Sequence, residues 1–302
     1  CSEMDDFIIA RSDGSPTYNL TVVVDDNDMN ISHVIRGEDH ISNTPKQMLI
    51  YKALGWTMPK FGHLPMILGS DGKRLSKRHG AKGTSEYKDL GYLPDTLINY
   101  LALLGWNPGN DDEIFDFNYL QENFSLDKVN KKSAVFDTIK LEWVSSQNIF
   151  KIPAAKLVDI ASEFDPTWCG EGHSLEYLVK VIELIKDRIK TLSDIKENAF
   201  YFFNHPTEYD EAAMKKCWGE NTNDILNSFQ EELSQLDDWN SSNIDELIDK
   251  CVNAINVGKG KLMQPLRIAL TGALKGPSIP DLMTLLGKET CLIRIKNILK
   301  NS

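Results

Sequence analysis

The segment at residues 71–80 holds four cations within ten residues and has glycines near both ends; the cations are Lys73, Arg74, Lys77 and Arg78. Glycine allows a backbone to approach a ligand closely. A lysine ammonium can neutralise the charge that develops on a pyrophosphate leaving group, and guanidinium groups can bind phosphate oxygens through two hydrogen bonds. The segment therefore predicts a loop that contacts polyphosphate. A solvated basic turn is the alternative, because charge runs usually lie on solvated faces.

Arg36 follows directly after the apolar, β-branched segment at residues 31–35. Open α/β sheets place ligand-binding groups just beyond the carboxyl ends of their strands. Arg36 is therefore a candidate for binding a carboxylate, which a guanidinium can hold with two hydrogen bonds. A surface salt bridge to Glu38 or Asp39 is the alternative for this side chain.

The elements that would position these residues begin with a predicted hairpin, formed by β-rich residues 7–10 and 21–24 around a turn. Residues 31–35 predict a third strand. Pro45 predicts the start of a helix that reaches about Leu54 and ends at the next residue, a glycine. Residues 64–68 predict another strand, and a strand, helix, strand order of this length favours parallel pairing.

Beyond the basic loop the sequence is mostly helical. Residues 87–104 carry apolar residues at helical spacing, and little β signal follows them. Further helices are predicted at residues 157–164, 175–192, 210–218, 225–236, 244–256 and 280–299. The expected fold class is mixed but mainly α.

Composition limits the possible partners of the chain. Its 302 residues suit about two domains, and its net charge of −11 repels phosphates, so any nucleic-acid site is expected to be a local patch. No apolar run approaches the roughly 20 residues needed to span a bilayer, and no signal-peptide pattern begins the chain. We expect a cytoplasmic protein without a membrane partner.

Metal binding is not indicated. The five cysteines lie far apart, without the short spacing of a zinc or redox motif, and they are Cys1, Cys169, Cys217, Cys251 and Cys291. Reduced structural thiols are expected. His33, His63 and His79 also lack ligand spacing, so neither zinc nor another protein-bound metal is expected.

The loop sequence Arg74-Leu75-Ser76-Lys77-Arg78 resembles the second signature loop of class I aminoacyl-tRNA synthetases, in the form found in bacterial glutamyl-tRNA synthetases. Several further motifs resemble the same family at matching distances, and together they span essentially the whole chain. They lie at residues 13–19, 22–26, 33–40, 43–45, 91–94, 103–106, 264–267 and 270–272. Several specific motifs in register are far rarer by chance than any one of them.

The resemblance implies ATP-dependent attachment of L-glutamate to tRNA(Glu). The amino-acid carboxylate would attack the α-phosphate of ATP, which arrives with Mg²⁺, and the glutamyl group would then pass to a terminal ribose hydroxyl. Lys77 would be the catalytic lysine on the ATP phosphates, and the rest of the loop would complete the ATP site, namely Arg74, Leu75, Ser76 and Arg78. Family members usually carry lysine where Arg74 stands here, with Lys73 just before it.

The resemblance also assigns glutamate binding to Arg36 and Tyr18. For Tyr18 the alternative is a core aromatic with a hydrated hydroxyl. In the helical half, the residues that would meet anticodon bases are Arg188, Arg267 and the segment from Pro277 to Ile279. A salt bridge within an acidic helical domain is the alternative for each of these arginines.

Three domains are expected from the resemblance. Residues 1–80 would form the C-terminal half of a Rossmann-like catalytic domain, residues 81–150 a stem-contact fold, and residues 151–302 a helical anticodon-binding domain with two subdomains that divide near residue 200. We expect the protein to be a monomer.

A first signature motif, the histidine-rich turn that holds ATP in this family, does not occur in the chain, which begins with Cys1. The expectation is therefore a fragment that lacks half of its ATP site, binds tRNA and is inactive alone. A noncatalytic tRNA-binding protein derived from a synthetase is the alternative. Glutamine specificity is disfavoured, because the glutamine enzymes hold the anticodon with β-barrels and this second half is helical.

Overall fold

The structure, a computed structural model, describes residues 5–76 and 82–301. The described residues form fifteen α-helices and four short strands, which confirms a mixed but mainly helical fold. They divide into two compact units, one from residues 1–83 and 98–138 and the other from residues 84–97 and 139–302. Within this described part of the chain, no helix is long and apolar enough to cross a membrane.

The first unit contains a parallel strand pair joined by a helix. Strand β1 (His33–Gly37) pairs with β2 (Lys60–Leu64), and helix α2 (Thr44–Leu54) connects them. The register places Arg36 opposite His63. The predicted parallel strand, helix, strand unit is therefore confirmed, and it fixes Arg36 near the carboxyl end of a strand.

The ends of these elements differ in part from the prediction. Helix α2 stops where predicted, at Gly55 with a left-handed backbone (φ 69°). Strand β2 already ends at Leu64, so the strand expected at residues 64–68 is divided there. Its remainder forms β3 (Ile67–Leu68), which pairs in parallel with β4 (Ala134–Val135) from a distant part of the chain.

The predicted hairpin is wrong, because residues 21–24 lie inside helix α1 (Tyr18–Asp28). β-Branched residues cost a helix only about 0.5 kcal/mol each relative to alanine, which burial of one side chain outweighs. Val23 is buried and packs in a small core with Tyr51 of α2. One antiparallel bridge, between Ala10 and Pro16, closes the predicted turn.

The remainder of the first unit has a small aromatic core. Trp106 and Phe115 are buried and meet edge to face, with ring centroids 5.8 Å apart. Leu120 of helix α5 (Phe117–Asn123) completes this cluster. Edge-to-face geometry suits the charge distribution of aromatic rings.

The second unit is helical in its described residues and has one large apolar core. Each fully buried leucine or isoleucine stabilises it by about 1.5–3 kcal/mol relative to exposure. Its helices are α3 (Thr84–Asp89), the start of α4 (Pro94–Gly105), α6 (Thr138–Lys151), α7 (Ala154–Phe164), α8 (Leu175–Ile185), α9 (Ser193–Phe203), α10 (Glu211–Cys217), α11 (Thr222–Ser234), α12 (Ser241–Ala254), α13 (Gly260–Thr271), α14 (Ile279–Leu286) and α15 (Lys288–Asn301).

Three predicted helices are interrupted. The helix expected at residues 175–192 ends at Ile185 and continues as the 3-10 helix Lys186–Arg188. The helix expected at residues 280–299 is split into α14 and α15 at Gly287, and the helix expected at residues 87–104 is split into α3 and α4 near Gly91. Both glycines have φ 82°, a conformation that disfavours other residues.

Arg294 on α15 is 3% exposed, although arginine is rarely buried without a partner. Its guanidinium donates to the carbonyl oxygens of Tyr201 (2.7 Å) and Asn204 (2.9 Å) at the end of α9, and to that of Leu270 near the end of α13. Helix ends leave carbonyls without partners, and a cation is favoured there by the helix dipole. Arg294 therefore joins three helices at this point of the second unit.

Gly91 lies in close contact with the start of α9. Its carbonyl accepts from the backbone N–H of Leu192 (2.9 Å), and the Ser193 hydroxyl donates to the Leu90 carbonyl (3.0 Å). A Cβ at Gly91 would lie 2.7 Å from the Ser193 nitrogen and 2.9 Å from the Leu192 nitrogen. Only glycine fits this contact without displacing backbone.

We predict that Gly91→Ala lowers the free energy of unfolding of the second unit by about 3 kcal/mol. The alanine Cβ would clash with backbone atoms, and alanine is also strained in a left-handed backbone conformation. Gly170→Ala is the matched control, because Gly170 has φ 70° and open space around its Cβ position. The control should lose about 1 kcal/mol. Urea denaturation followed by helical circular dichroism measures both, and equal losses would contradict the close contact.

Candidate functional site

Arg36 is held by two buried side chains of α2. Its Nη2 donates to the Thr44 hydroxyl at 2.7 Å and to the Gln47 side-chain oxygen at 2.8 Å. Thr44 is 9% exposed and Gln47 is 2% exposed. The Arg36 guanidinium also lies 5.6 Å from the centre of the Phe61 ring on β2. The guanidinium therefore has one defined orientation.

A second layer of polar contacts fixes the two acceptors. The Gln47 amide nitrogen donates to the side-chain oxygen of Asn19 on α1, at 3.1 Å. The Thr44 hydroxyl lies 2.9 Å from Nε2 of His63 on β2. Because the Gln47 nitrogen is used by Asn19, its oxygen faces the arginine. The network therefore ties α1, α2 and both strands to one guanidinium.

The charge of Arg36 is not neutralised by the acids next to it in sequence. Glu38 accepts from the Met66 backbone N–H at 3.0 Å, and Asp39 pairs with Arg74 at 3.3 Å. Nε of Arg36 is buried and has no hydrogen-bond partner among the described residues. Burial raises the pKa of Asp26, and the positive charge of Arg36 opposes that rise. Arg36 thus forms no ion pair with Glu38 or Asp39.

Tyr18 lies at the start of α1 and is 51% exposed, so it is not a core aromatic. Its hydroxyl is 3.4 Å from Nδ1 of His40, and the two ring centroids are 6.1 Å apart. The Asn43 amide nitrogen lies 3.4 Å from the same Nδ1. An exposed hydroxyl beside an imidazole can hydrogen-bond a polar ligand.

The basic loop begins as a tight turn. The Gly69 N–H donates to the Lys73 carbonyl at 2.8 Å, and Gly72 has φ 74°. The Leu75 N–H donates to the Ile67 carbonyl at 2.8 Å, so the chain returns beside β3. Leu75 and Ser76 are half-buried. Lys77 and Arg78, the next two predicted site residues, lie outside the described residues.

The Arg74–Asp39 ion pair connects the loop to the segment after β1. Arg74 is 68% exposed and Asp39 is 36% exposed. A Cβ at Gly37 would lie 2.6 Å from an Asp39 carboxylate oxygen, so glycine leaves room for this arrangement. The structure therefore brings the start of the loop and the strand end that carries Arg36 into one region of the first unit.

We predict that Arg74→Ala changes the free energy of unfolding by less than about 0.5 kcal/mol, because exposed ion pairs are worth little. Thermal denaturation of both proteins measures this. A loss above about 2 kcal/mol would contradict the prediction and make Arg74 a structural residue. The Lys73→Ala variant is the matched control, since it removes a neighbouring exposed cation.

A second cluster lies in the second unit, where Arg188 and Arg267 approach each other. Nη1 of Arg267 donates to the Pro277 carbonyl at 2.6 Å. Burial, and then the nearby charge of Arg188, lower the pKa of Arg267. Arg188 follows α8, is exposed and pairs with Asp187. The alternative of an intradomain salt bridge is thus observed for Arg188.

The segment from Pro277 to Ile279 joins α13 to α14. Pro277 and Ile279 are buried, and Ser278 between them is exposed. The Ser278 hydroxyl caps α14 by accepting from the Asp281 N–H at 3.3 Å. Arg267 thus lies beside this segment, whereas the Ile279 side chain packs in the core.

Sequence reasoning does not identify Thr44 or Gln47 as residues that hold Arg36, and it does not single out Tyr201. The signal for the first two is present, because polar residues three apart share one face of α2. Their contact with Arg36 depends on how α2 packs against β1, which no local pattern specifies. Tyr201 sits among apolar residues of α9 and is typical of a core position.

Comparison with known proteins places the chain in a family. Residues 1–143 match the model described as tRNA synthetases class I (E and Q), catalytic domain. Residues 156–299 match the model of an anticodon binding domain. The chain therefore belongs to the class I tRNA synthetases, within the group of glutamate and glutamine enzymes.

Its relatives are glutamate enzymes. Glutamate–tRNA ligase 2 of Halorhodospira halophila is 42% identical over 300 residues, with 97% of this chain and 62% of the relative covered. Glutamate–tRNA ligase 1 of Syntrophus aciditrophicus is 44% identical over 294 residues, with 97% and 62% covered. The chain thus spans about 62% of the length of these relatives.

A crystal structure of a glutamate tRNA ligase from Elizabethkingia meningosepticum in complex with its amino acid is similar to this structure. The TM-score is 0.86 at 34% identity, with 99% of this chain and 63% of that chain covered. The fold similarity therefore extends over nearly the whole chain, and the resemblance seen in the sequence motifs is confirmed.

Proposed function

We propose that the complete gene product is a glutamate–tRNA ligase, which activates L-glutamate with ATP and transfers it to tRNA(Glu). The observation that carries this proposal is Arg36, a half-buried cation held by the neutral acceptors Thr44 and Gln47 at the end of a strand. Such a cation suits a substrate carboxylate. The relatives named glutamate–tRNA ligase support the same substrate.

Glutamate would lie between Arg36 and Tyr18. Its side-chain carboxylate or α-carboxylate pairs with the guanidinium, and the exposed Tyr18 hydroxyl donates to or accepts from a second polar group. In either orientation an oxygen of the α-carboxylate attacks the α-phosphorus of ATP, and pyrophosphate leaves. Because neutral residues orient Arg36, the substrate is the anion that completes its hydrogen bonding.

The basic loop would bind ATP. Lys77 and Arg78 supply charge to the phosphates, and Arg74, Leu75 and Ser76 form the start of the loop, anchored beside β3. Lys77 stabilises the charge that develops on the departing pyrophosphate. The Mg²⁺ ion would come with the nucleotide, and its ligands would include phosphate oxygens.

The helical half would read the anticodon of tRNA(Glu). Arg188 and Arg267 form a local positive site in an acidic chain, which is the kind of patch that RNA recognition requires here. Pro277 and Ile279 shape the segment beside them. We propose the division into a catalytic part at residues 1–80, a stem-contact part at 81–150 and an anticodon-binding part at 151–302, acting as a monomer.

Aminoacylation of tRNA(Glu) and glutamate-dependent ATP–pyrophosphate exchange by the complete gene product test this function. Both activities are expected with L-glutamate and not with L-glutamine. Tight tRNA binding without either activity would overturn the enzyme assignment and favour a noncatalytic tRNA-binding protein.

For Lys77→Ala in the complete protein, we predict a fall in turnover of about 100-fold or more, because a donor to the developing charge is lost. The Kd for tRNA(Glu) should change less than about 2-fold, since one phosphate contact at most is removed. Lys82→Ala, just beyond the loop, is the control of equal charge and should keep full turnover. Parallel losses of turnover and tRNA affinity would instead indicate a phosphate clamp.

For Arg36→Lys in the complete protein, we predict an increase of about 10-fold or more in the KM for L-glutamate, with little change in the KM for ATP. Lysine keeps the charge but cannot donate to Thr44, Gln47 and a carboxylate in one planar arrangement. Arg11→Lys is the control, because Arg11 is exposed and its side chain donates to the Ser15 hydroxyl at 3.2 Å. Steady-state kinetics measure both variants, and an unchanged glutamate KM would contradict the role of Arg36.

A further inference from the structure

The hydroxyl group of Tyr201 is buried without a hydrogen-bond partner. Tyr201 lies on α9 and is 6% exposed. Among the described residues its oxygen has neither donor nor acceptor. A buried hydroxyl that gives up water without another partner destabilises a folded protein. Most buried polar groups are paired, so an unpaired one calls for an explanation.

A nearby tyrosine shows the usual arrangement. The hydroxyl of half-buried Tyr177 donates to the Phe202 carbonyl at 3.0 Å. Tyr177 and Tyr201 both pack against the core of the second unit. The lack of a partner for the Tyr201 hydroxyl therefore depends on the residues next to it, and not on burial in this core alone.

Those surroundings are the arginine cluster. The charges of Arg188 and Arg267 both act on Tyr201, while burial raises its pKa to about 12. The hydroxyl thus stays protonated at neutral pH. Guanidinium groups have no acceptor to offer it. Asp187 also acts on the phenol, but its carboxylate pairs with Arg188.

Gly276 lies beside this hydroxyl. A Cβ at Gly276 would lie 3.5 Å from the Tyr201 oxygen and 3.1 Å from Nη1 of Arg267. The backbone there has φ 139°, which also favours glycine. The same position therefore borders the unpaired hydroxyl and the guanidinium nitrogen that donates to the Pro277 carbonyl.

The geometry points to Tyr201 as a third hydrogen-bond donor of the site, beside Arg188 and Arg267, for an acceptor atom of an RNA loop nucleotide. This inference rests on the proposed function. Binding would exchange the Pro277 carbonyl for the nucleotide acceptor on Arg267, and the segment at residues 273–278 would shift to admit it. All three donors would then share one electron-rich group, and the Tyr201 hydroxyl would gain the partner that the free protein lacks.

Tyr201→Phe in the complete protein tests the inference, because it removes only the hydroxyl. We expect the Kd for a tRNA(Glu) transcript to rise about 10-fold, as for the loss of one good hydrogen bond. The Tm should stay the same or rise, since no protein contact is lost. Filter binding at one fixed salt concentration and differential scanning calorimetry measure the two quantities.

Tyr177→Phe is the matched control. It removes a hydroxyl that has a protein partner, so its Tm should fall while its Kd for the transcript stays that of the wild type. An unchanged Kd for Tyr201→Phe would overturn the inference. A Tm loss in Tyr201→Phe as large as in the control would also overturn it, because it would show a protein partner for the hydroxyl.

A second transcript with a substituted anticodon distinguishes the acceptor. If Tyr201→Phe weakens binding of the tRNA(Glu) transcript alone, the hydroxyl contacts a base edge, and if it weakens both equally, the hydroxyl contacts a phosphate. Both results support a donor role. Failure of the wild-type protein to bind the tRNA(Glu) transcript would overturn the proposed function itself, and is separate from any effect of Tyr201.

Discussion

Neutral oxygen acceptors, and not carboxylates, hold the three arginines on which this structure depends. Arg36 donates to a threonine and a glutamine, Arg267 to a backbone carbonyl, and Arg294 to three carbonyls. Burying an arginine removes hydration that only hydrogen bonds can replace. A neutral acceptor replaces the hydrogen bonds but leaves the positive charge, which is then available to an anion.

The consequence differs between the two units. In the first, the charge of Arg36 lies at the end of β1, where the proposed substrate carboxylate would pair with it. In the second, Arg267 lies beside Arg188, and the proposed RNA group would offset the repulsion between the two guanidinium groups. The charge of buried Arg294 is offset by the carbonyl ends of α9 and α13. Arg294 therefore stabilises the helices that carry Tyr201 and Arg267.

This use of neutral acceptors also suits the proposed binding of phosphate-rich partners by an acidic chain. With a net charge of −11, the chain as a whole repels nucleic acid and nucleotides at long range. Its acids pair with exposed lysines, as Glu232 does with Lys250 and Glu142 with Lys190. Arg36 and Arg267 donate to neutral acceptors instead, and recognition at the proposed sites would depend on position more than on bulk charge.

The sequence by itself determined the family, the parallel strand pair around α2 and the helical second half, and it singled out Arg36, Tyr18 and the basic loop as candidate site residues. These depend on motif order, hydrophobic period and glycine or proline at element ends, which are local properties. Residues 21–24 show the limit of local properties, because packing of Val23 against Tyr51 converts a β-rich segment into helix. Only the tertiary structure joined Gln47 and Thr44 to Arg36, buried Arg294 at three helix ends and left Tyr201 unpaired. Each of these features depends on residues from different helices or strands, so the packing between elements decides them.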